Sequence, residues 1–176
     1  MSLNAINILK FLEKKEGRPI PLSVKLINNS PLTPEDLNVT GNLYLTNPKI
    51  TSLPDNLKVS GHLYLSNTKI TSLPDNLQVG GHLDLSYTKI TSLPDNLKVG
   101  RSLNLSDTPI TSLPNNLKVN GVLMLNNTSI TSLPDNLNVG SRLYLIDTPL
   151  SKQYTEEQIR QMIEDKGGFV GSFVRF

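Results

Sequence analysis

A twenty-residue unit repeats along most of this chain, and a unit that short leaves few folds open. Residues 53–72 read LPDNLKVSGHLYLSNTKITS, followed one period at a time by LPDNLQVGGHLDLSYTKITS, LPDNLKVGRSLNLSDTPITS and LPNNLKVNGVLMLNNTSITS. A fifth copy starts at Leu133 and loses the pattern after Leu150, and a weaker leading copy starts at Pro34. One such unit cannot bury an apolar face alone, so stacked copies must share a continuous core. At 176 residues the chain reads as a single solenoid, not two globules.

Comparing copies within the chain shows which positions the stack dictates. Leu43, Leu63, Leu83, Leu103, Leu123 and Leu143 form one column, and Leu45 to Leu145 form a second, two residues on. A period of two points both leucines inward from a short strand and the residue between them outward. Ile50 to Ile130 with Leu150, Leu53 to Leu133, Leu57 to Leu137 and Val39 to Val139 complete the expected core. Thr68, Thr88, Thr108, Thr128 and Thr148 fall where the chain leaves the strand, placed to hydrogen-bond the backbone of their own turn or the next coil. Pro48 breaks this column, so the first coil is expected to turn differently. Pro54-Asp55-Asn56 and its copies are turn chemistry: proline presets φ, and Asp or Asn tolerates left-handed backbone. The pair before each Leu-x-Leu strand always holds a glycine, at either position, which predicts a corner between two short parallel strands per coil.

The ends depart from the repeat. Leu3, Ile6, Leu9 and Leu12, then Gly17, Pro19 and Pro21, predict one short amphipathic helix over residues 3–16 that covers the open end of the stack. Residues 20–32 read as an imperfect first coil, so residues 1–33 form an N-terminal helix and degenerate capping coil, followed by repeats over 34–150. Residues 151–176 form a C-terminal cap: Thr155-Glu-Glu-Gln158 starts a helix, Gly167 stops it, and GFVGSFVRF supplies a short strand or apolar tail. Helical caps at both ends would block head-to-tail stacking and favour a monomer.

Composition removes several classes. No cysteine is present, so disulfides, thiolate metal sites and cysteine nucleophiles are absent together. A net charge of +2, from 17 basic and 15 acidic residues, is too balanced for a protein defined by binding nucleic acid or a membrane surface. Asn4, Asn7 and Lys10 interrupt the first apolar residues, and no apolar run approaches the roughly 18 residues of a spanning helix. The expectation is a soluble, cytoplasmic protein, with export by a route that cleaves no signal left open.

The pattern L-x-L-x-x-T-x-I-x-x-L-P resembles the leucine-rich repeat motif L-x-x-L-x-L-x-x-N-x-L, with threonine in the asparagine place and the short period of the bacterial class. The proline-containing turns are similar to those in the repeats of bacterial effector ligases, and the Val-Gly-Gly variant resembles repeat proteins of phage and bacterial genomes. The resemblance covers about residues 34–150 and implies a recognition scaffold. It does not carry over ligase activity, because those enzymes work through a cysteine in a separate catalytic domain. The family's first leucine is replaced by Thr40, Ser60, Gly80, Gly100, Asn120 and Gly140, which leaves a curved leucine-rich horseshoe and a straighter parallel β-solenoid both open.

Function is sought on the outward positions of the Leu-x-Leu strands. The candidate protein-binding face comprises Tyr44, His62, Tyr64, His82, Asp84, Tyr87, Met124, Arg142 and Tyr144. Parallel stacking sets equivalent residues ~4.8 Å apart, so Tyr44 and Tyr64 should be neighbours, with Tyr144 roughly 19 Å from Tyr64. Aromatic residues with Arg and Met are the types enriched in interface cores; the competing reading is that the fold leaves these positions unconstrained, tyrosine being a good strand residue. A metal on His62 and His82 would have only Asp84 as a further ligand, short of the four a structural site wants. Lys49, Lys69 and Lys89 form a basic column without interleaved aromatic residues, so nucleic-acid binding is not expected. The threonine row from Thr51 to Thr131 is similar to those of ice-binding solenoids but is flanked by leucines. Catalysis and cofactors have no foothold: Gly80-Gly81 precedes a strand, not the helix a phosphate loop requires. Two readings remain, a non-enzymatic scaffold binding a protein partner and a structural or particle-associated protein without a ligand face.

Overall fold

The computed structural model describes residues 7, 11, 13–15, 17 and 19–174. Residues 7, 11 and 13–15 are helical; Gly17, at φ +65°, donates its N–H to the Glu13 carbonyl at 2.9 Å and ends the helix where a glycine is expected to. Leu3, Ile6, Leu9 and Leu12, which carry the stripe predicted for this helix, lie outside the described residues.

From residue 38 each coil contributes two strands of two residues: β1 (Asn38–Val39) and β2 (Leu43–Tyr44), β3 (Lys58–Val59) and β4 (Leu63–Tyr64), β5 (Gln78–Val79) and β6 (Leu83–Asp84). The series continues with β7 (Lys98–Val99) and β8 (Leu103–Asn104), then β9 (Lys118–Val119) and β10 (Leu123–Met124). β1, β3, β5, β7 and β9 form one parallel ladder; β2, β4, β6, β8 and β10 form another; the seven-residue β11 (Asn138–Tyr144) continues both. Register is one repeat throughout, with Leu43 opposite Leu63, Leu63 opposite Leu83 and Leu83 opposite Leu103. The architecture is a parallel β-solenoid, the second of the two shapes left open by the missing leucine.

The expected columns form the core. Leu63, Leu83, Leu103 and Leu123, their partners at 65, 85, 105 and 125, and Ile70, Ile90, Ile110 and Ile130 are fully buried. The threonine hydroxyls bond within their own turns: Thr68, Thr88, Thr108 and Thr128 each donate to the carbonyl three residues back at 2.6–2.7 Å. This satisfies a carbonyl that would otherwise be buried unpaired. Where Pro48 replaces the threonine, Asn47 makes the turn instead, accepting from the Lys49 and Ile50 N–H groups at 2.9 Å. In the proline turns Asn56, Asn76, Asn116 and Asn136 take left-handed backbone, φ 54–62°.

The glycines at the corner answer to contact between coils more than to the bend itself. None of those at 61, 80, 81, 100, 121 and 140 has positive φ, yet a Cβ at Gly100 would collide with the Gly80 carbonyl and one at Gly80 with that of Ser60. The backbones close up here, and every coil keeps at least one residue of the pair without a side chain. Replacing Gly with Ala at a compatible φ ordinarily gains about 0.4–1 kcal/mol. Gly100→Ala, which leaves its pair with Arg101 and no glycine, is expected to lose about 1–3 kcal/mol, as overpacking does. The urea midpoint checks the sign, and a rise would show that the coils yield freely.

The segment expected as a degenerate first coil is a helix, α1 (Leu22–Ile27). Leu22 and Leu26, four apart, turn the same face to the stack, and burial of that face overrides the strand preference of Val24 and Ile27. Lys25, itself buried, reaches Asp36 of the first coil at 2.8 Å and fastens the helix to it. Burial works to raise the Asp36 carboxyl, but hydrogen bonds from Lys25 and Thr33 outweigh it and hold it below the usual range.

At the other end α2 (Pro149–Gln153), α3 (Glu156–Asp165) and β12 (Phe169–Val174) close over the last coil. The capping box at Thr155 and Gln158 and the stop at Gly167, φ +74°, are as expected. The α2 helix is not: Thr148, the last of the threonine column, also caps it through Ser151. β12 runs parallel to β11 with a bulge at the corner, Val170 opposite Val139 and Phe173 opposite Leu143, so both ladders gain one more rung.

Candidate protein-binding face

The side chains at positions 42, 44 and 46 of each unit stand outside the β2–β4–β6–β8–β10 ladder, and stacking forces like columns into contact. Tyr44 and Tyr64 rings stack at 4.8 Å and 7° from parallel, the spacing expected from the ladder. His62 and His82 stack at 4.5 Å and 16°, and the His62 ring meets Tyr64 edge-on at 6.1 Å. Tyr44 keeps 62% of its surface exposed, whereas His62, Tyr64 and His82 are half-buried. Four rings thus form one cluster over three coils.

Position 42 and its copies are under a constraint invisible in the sequence. At the corner a coil offers no carbonyl to the N–H of the residue one unit ahead, and a side chain takes that place. Asn42 Oδ1 accepts from the His62 N–H at 2.9 Å, His62 Nδ1 from the His82 N–H at 2.8 Å, and His82 Nδ1 from the Ser102 N–H at 3.1 Å. Ser102 Oγ accepts from the Val122 N–H at 3.0 Å, and Val122 ends the series. Burial first, then repulsion from the neighbouring His62 ring when it is protonated and from Arg101, hold the His82 imidazole below its usual range and so favour the neutral ring this bond requires.

Asp84 has a similar local role. Its Oδ1 accepts from the Ser86 N–H and hydroxyl, at 3.0 and 2.8 Å, and from Asn104 Nδ2 at 3.1 Å. Among the described residues no three His, Asp or Glu side chains are grouped to hold a metal ion.

Tyr87 breaks a local rule. It takes left-handed backbone, φ 57°, where the other coils place Asn67, Asp107, Asn127 and Asp147, at φ 55–61°. Asn and Asp tolerate that region and a bulky aromatic does not. The ring is 61% exposed, so core packing does not compensate for the strain. The Asp107 carboxylate beside it raises the phenol above its usual pKa. Tyr87→Asn, which restores the repeat's own residue, is expected to stabilise the fold by about 0.5–1 kcal/mol, read as a higher thermal midpoint.

Met124, Arg142 and Tyr144 do not join this cluster. Met124 and Tyr144 are paired in register on β10 and β11, Arg142 lies opposite Ser172, and four coils separate Tyr144 from Tyr64. The nine candidates therefore divide into an aromatic group with Asp84 and Tyr87 toward the N-terminal end, and a trio at the other.

Two features went unnoticed in the sequence. Arg101, the one large side chain in the glycine pairs, is exposed and precedes Ser102, whose N–H meets His82 Nδ1. Lys58, Lys98 and Lys118 form a second basic column, on the other ladder, along an open groove of about 520 Å³ floored by Gly80 and Gly100. Their position between an inward leucine and an inward valine was the available signal.

The chain matches no protein-family profile and no curated protein. No helix among the described residues is long and apolar enough to cross a membrane.

Proposed function

We propose that this protein is a non-enzymatic binding scaffold that takes a protein partner on the outward face of its Leu-x-Leu ladder, centred on the aromatic cluster of Tyr44, His62, Tyr64 and His82. The observation that carries this reading is Tyr87. A strained, exposed aromatic three residues along the chain from Asp84 is not explained by core packing, and such departures from local preference gather at functional sites. Tyrosine is also among the residue types enriched at the few positions that dominate binding energy in known interfaces. The side-chain bonds that continue the corner favour a second reading, a structural or particle-associated stack, because they explain position 42 without a ligand.

The two readings part on one experiment. Tyr44, Tyr64 and Tyr144 are replaced together by serine, and partner capture from cells of the source organism or its host is compared with wild type by mass spectrometry. Capture lost, with circular dichroism unchanged, is the expected result; the same partner on both proteins rejects the face, and self-association alone supports the structural reading.

A further inference from the structure

His62 and His82 do more than the corner requires. The coil before them makes the same bond with Asn42 Oδ1 and the coil after with Ser102 Oγ, so an acceptor of either kind suffices. What the imidazole adds is its second nitrogen. A ring nitrogen that accepts an N–H must present a lone pair, so neutral His62 and His82 both carry their proton on Nε2. Nε2 sits at the end of the ring remote from Cβ, so on these outward, half-exposed side chains it is the nitrogen turned away from the backbone. With the rings stacked at 4.5 Å and 16° from parallel, two Nε2–H donors stand side by side on adjacent coils, each fixed by a bond on its other nitrogen.

This arrangement selects the chemistry of what it meets. A metal ion needs the Nε2 lone pair, which this tautomer lacks. A carboxylate or phosphate presents charged acceptor oxygens, which can lie about 2.7–3.2 Å from both donors at once. Arg101 contributes a cation on the His82 side, since its own N–H donates to the Gly81 carbonyl at 3.1 Å and the next N–H, of Ser102, donates to His82 Nδ1. Asp84, two residues along the strand from His82, has its Oδ1 engaged by Ser86 and Asn104. We infer that His62, His82 and Arg101 form an oxyanion site on the strand face, receiving a carboxylate or phosphate group of the partner. The inference rests on the proposed binding face and names the chemistry of what docks there: an acidic or phosphorylated segment.

The test exploits the repeat's own alternative. The double variant His62→Ser/His82→Ser keeps an acceptor for each backbone N–H, as Ser102 does, and leaves no donor where the two Nε2–H groups stood. Histidine ring signals of the full chain are followed by NMR during titration with inorganic phosphate. The titration is repeated with a short phosphoserine peptide and with the same peptide carrying glutamate. Saturable shifts at both rings are expected, and peptide affinity, read by calorimetry, should fall about tenfold or more in the double variant, the loss of a charge-assisted hydrogen bond. Tighter binding of the phosphoserine peptide assigns the site to phosphate, and equal or tighter binding of the glutamate peptide to carboxylate.

Rings that do not respond to any of the three probes overturn the site, as does undiminished peptide affinity in the double variant. Should that variant unfold early, Arg101→Gln decides: the residue is exposed, and unchanged affinity there overturns the proposal too. The outcomes are separable from those of the face itself. Silent titrations reject the oxyanion site and leave the tyrosine result standing, whereas capture that survives loss of the tyrosines rejects the face and leaves the titrations intact.

Discussion

A chain cut after Thr148 is expected to lose its cooperative fold and aggregate. The cut removes Leu150, Ile159, Ile163 and Val170, all buried, and uncovers the last coil, where Leu137, Val139, Leu143 and Leu145 are equally buried. At about 1.5–3 kcal/mol per apolar side chain, four lost residues are worth about 6–12 kcal/mol. A domain of this kind has only about 5–15 kcal/mol in total. Polar ties go as well: Lys166 Nζ donates to the Leu133 carbonyl at 2.8 Å, and the Asn136 N–H to the Lys166 carbonyl at 2.9 Å. What remains is an open slice of leucines edged by unpaired strand, the standard template for aggregation. Light scattering and a urea transition decide the matter; a soluble fragment with a sharp transition would show that the last coil needs no cover.

Leu103→Ala is the second large effect, expected at roughly 2–5 kcal/mol of lost stability. Leu103 is fully buried and stacks in register between Leu83 and Leu123, so neither neighbour can collapse into the void without leaving its own rung. Leu43 occupies the same column in the first coil, but is 9% exposed and, among the described residues, has a ladder partner on one side only. Leu43→Ala should therefore shift the denaturation midpoint less. Equal shifts would mean that the coils do not share strain as a stack.

Side chains that point inward were legible in the sequence because the stack treats every coil alike. The leucine, isoleucine and valine columns, the threonine turn, the adjacency of Tyr44 and Tyr64 and the capping box at Thr155 all follow from periodicity or local chemistry. Most of the failures depend on what lies beyond the coil itself. Residues 20–32 carry the composition of a strand, and only the exposed end of the core makes Leu22–Ile27 helical. Thr148 was readable as a repeat position, which hid its second role as the cap of α2. The glycine pairs suggested a bend, whereas the reason for them is a carbonyl of the preceding coil. On the candidate face, the histidines looked unconstrained because the bonds to their Nδ1 atoms come from residues twenty positions ahead.

The unbroken one-unit register has a consequence for distance. Each coil starts and ends at the same place in its ladder, so a whole coil can be added or removed without shifting the partners of any other. Every such change moves what lies beyond it by one strand spacing, about 4.8 Å. The solenoid is in this sense a ruler graduated in coils. It holds the aromatic cluster and the Met124–Tyr144 pair at a separation counted in whole units, and a change in that count would alter their span while leaving both groups intact.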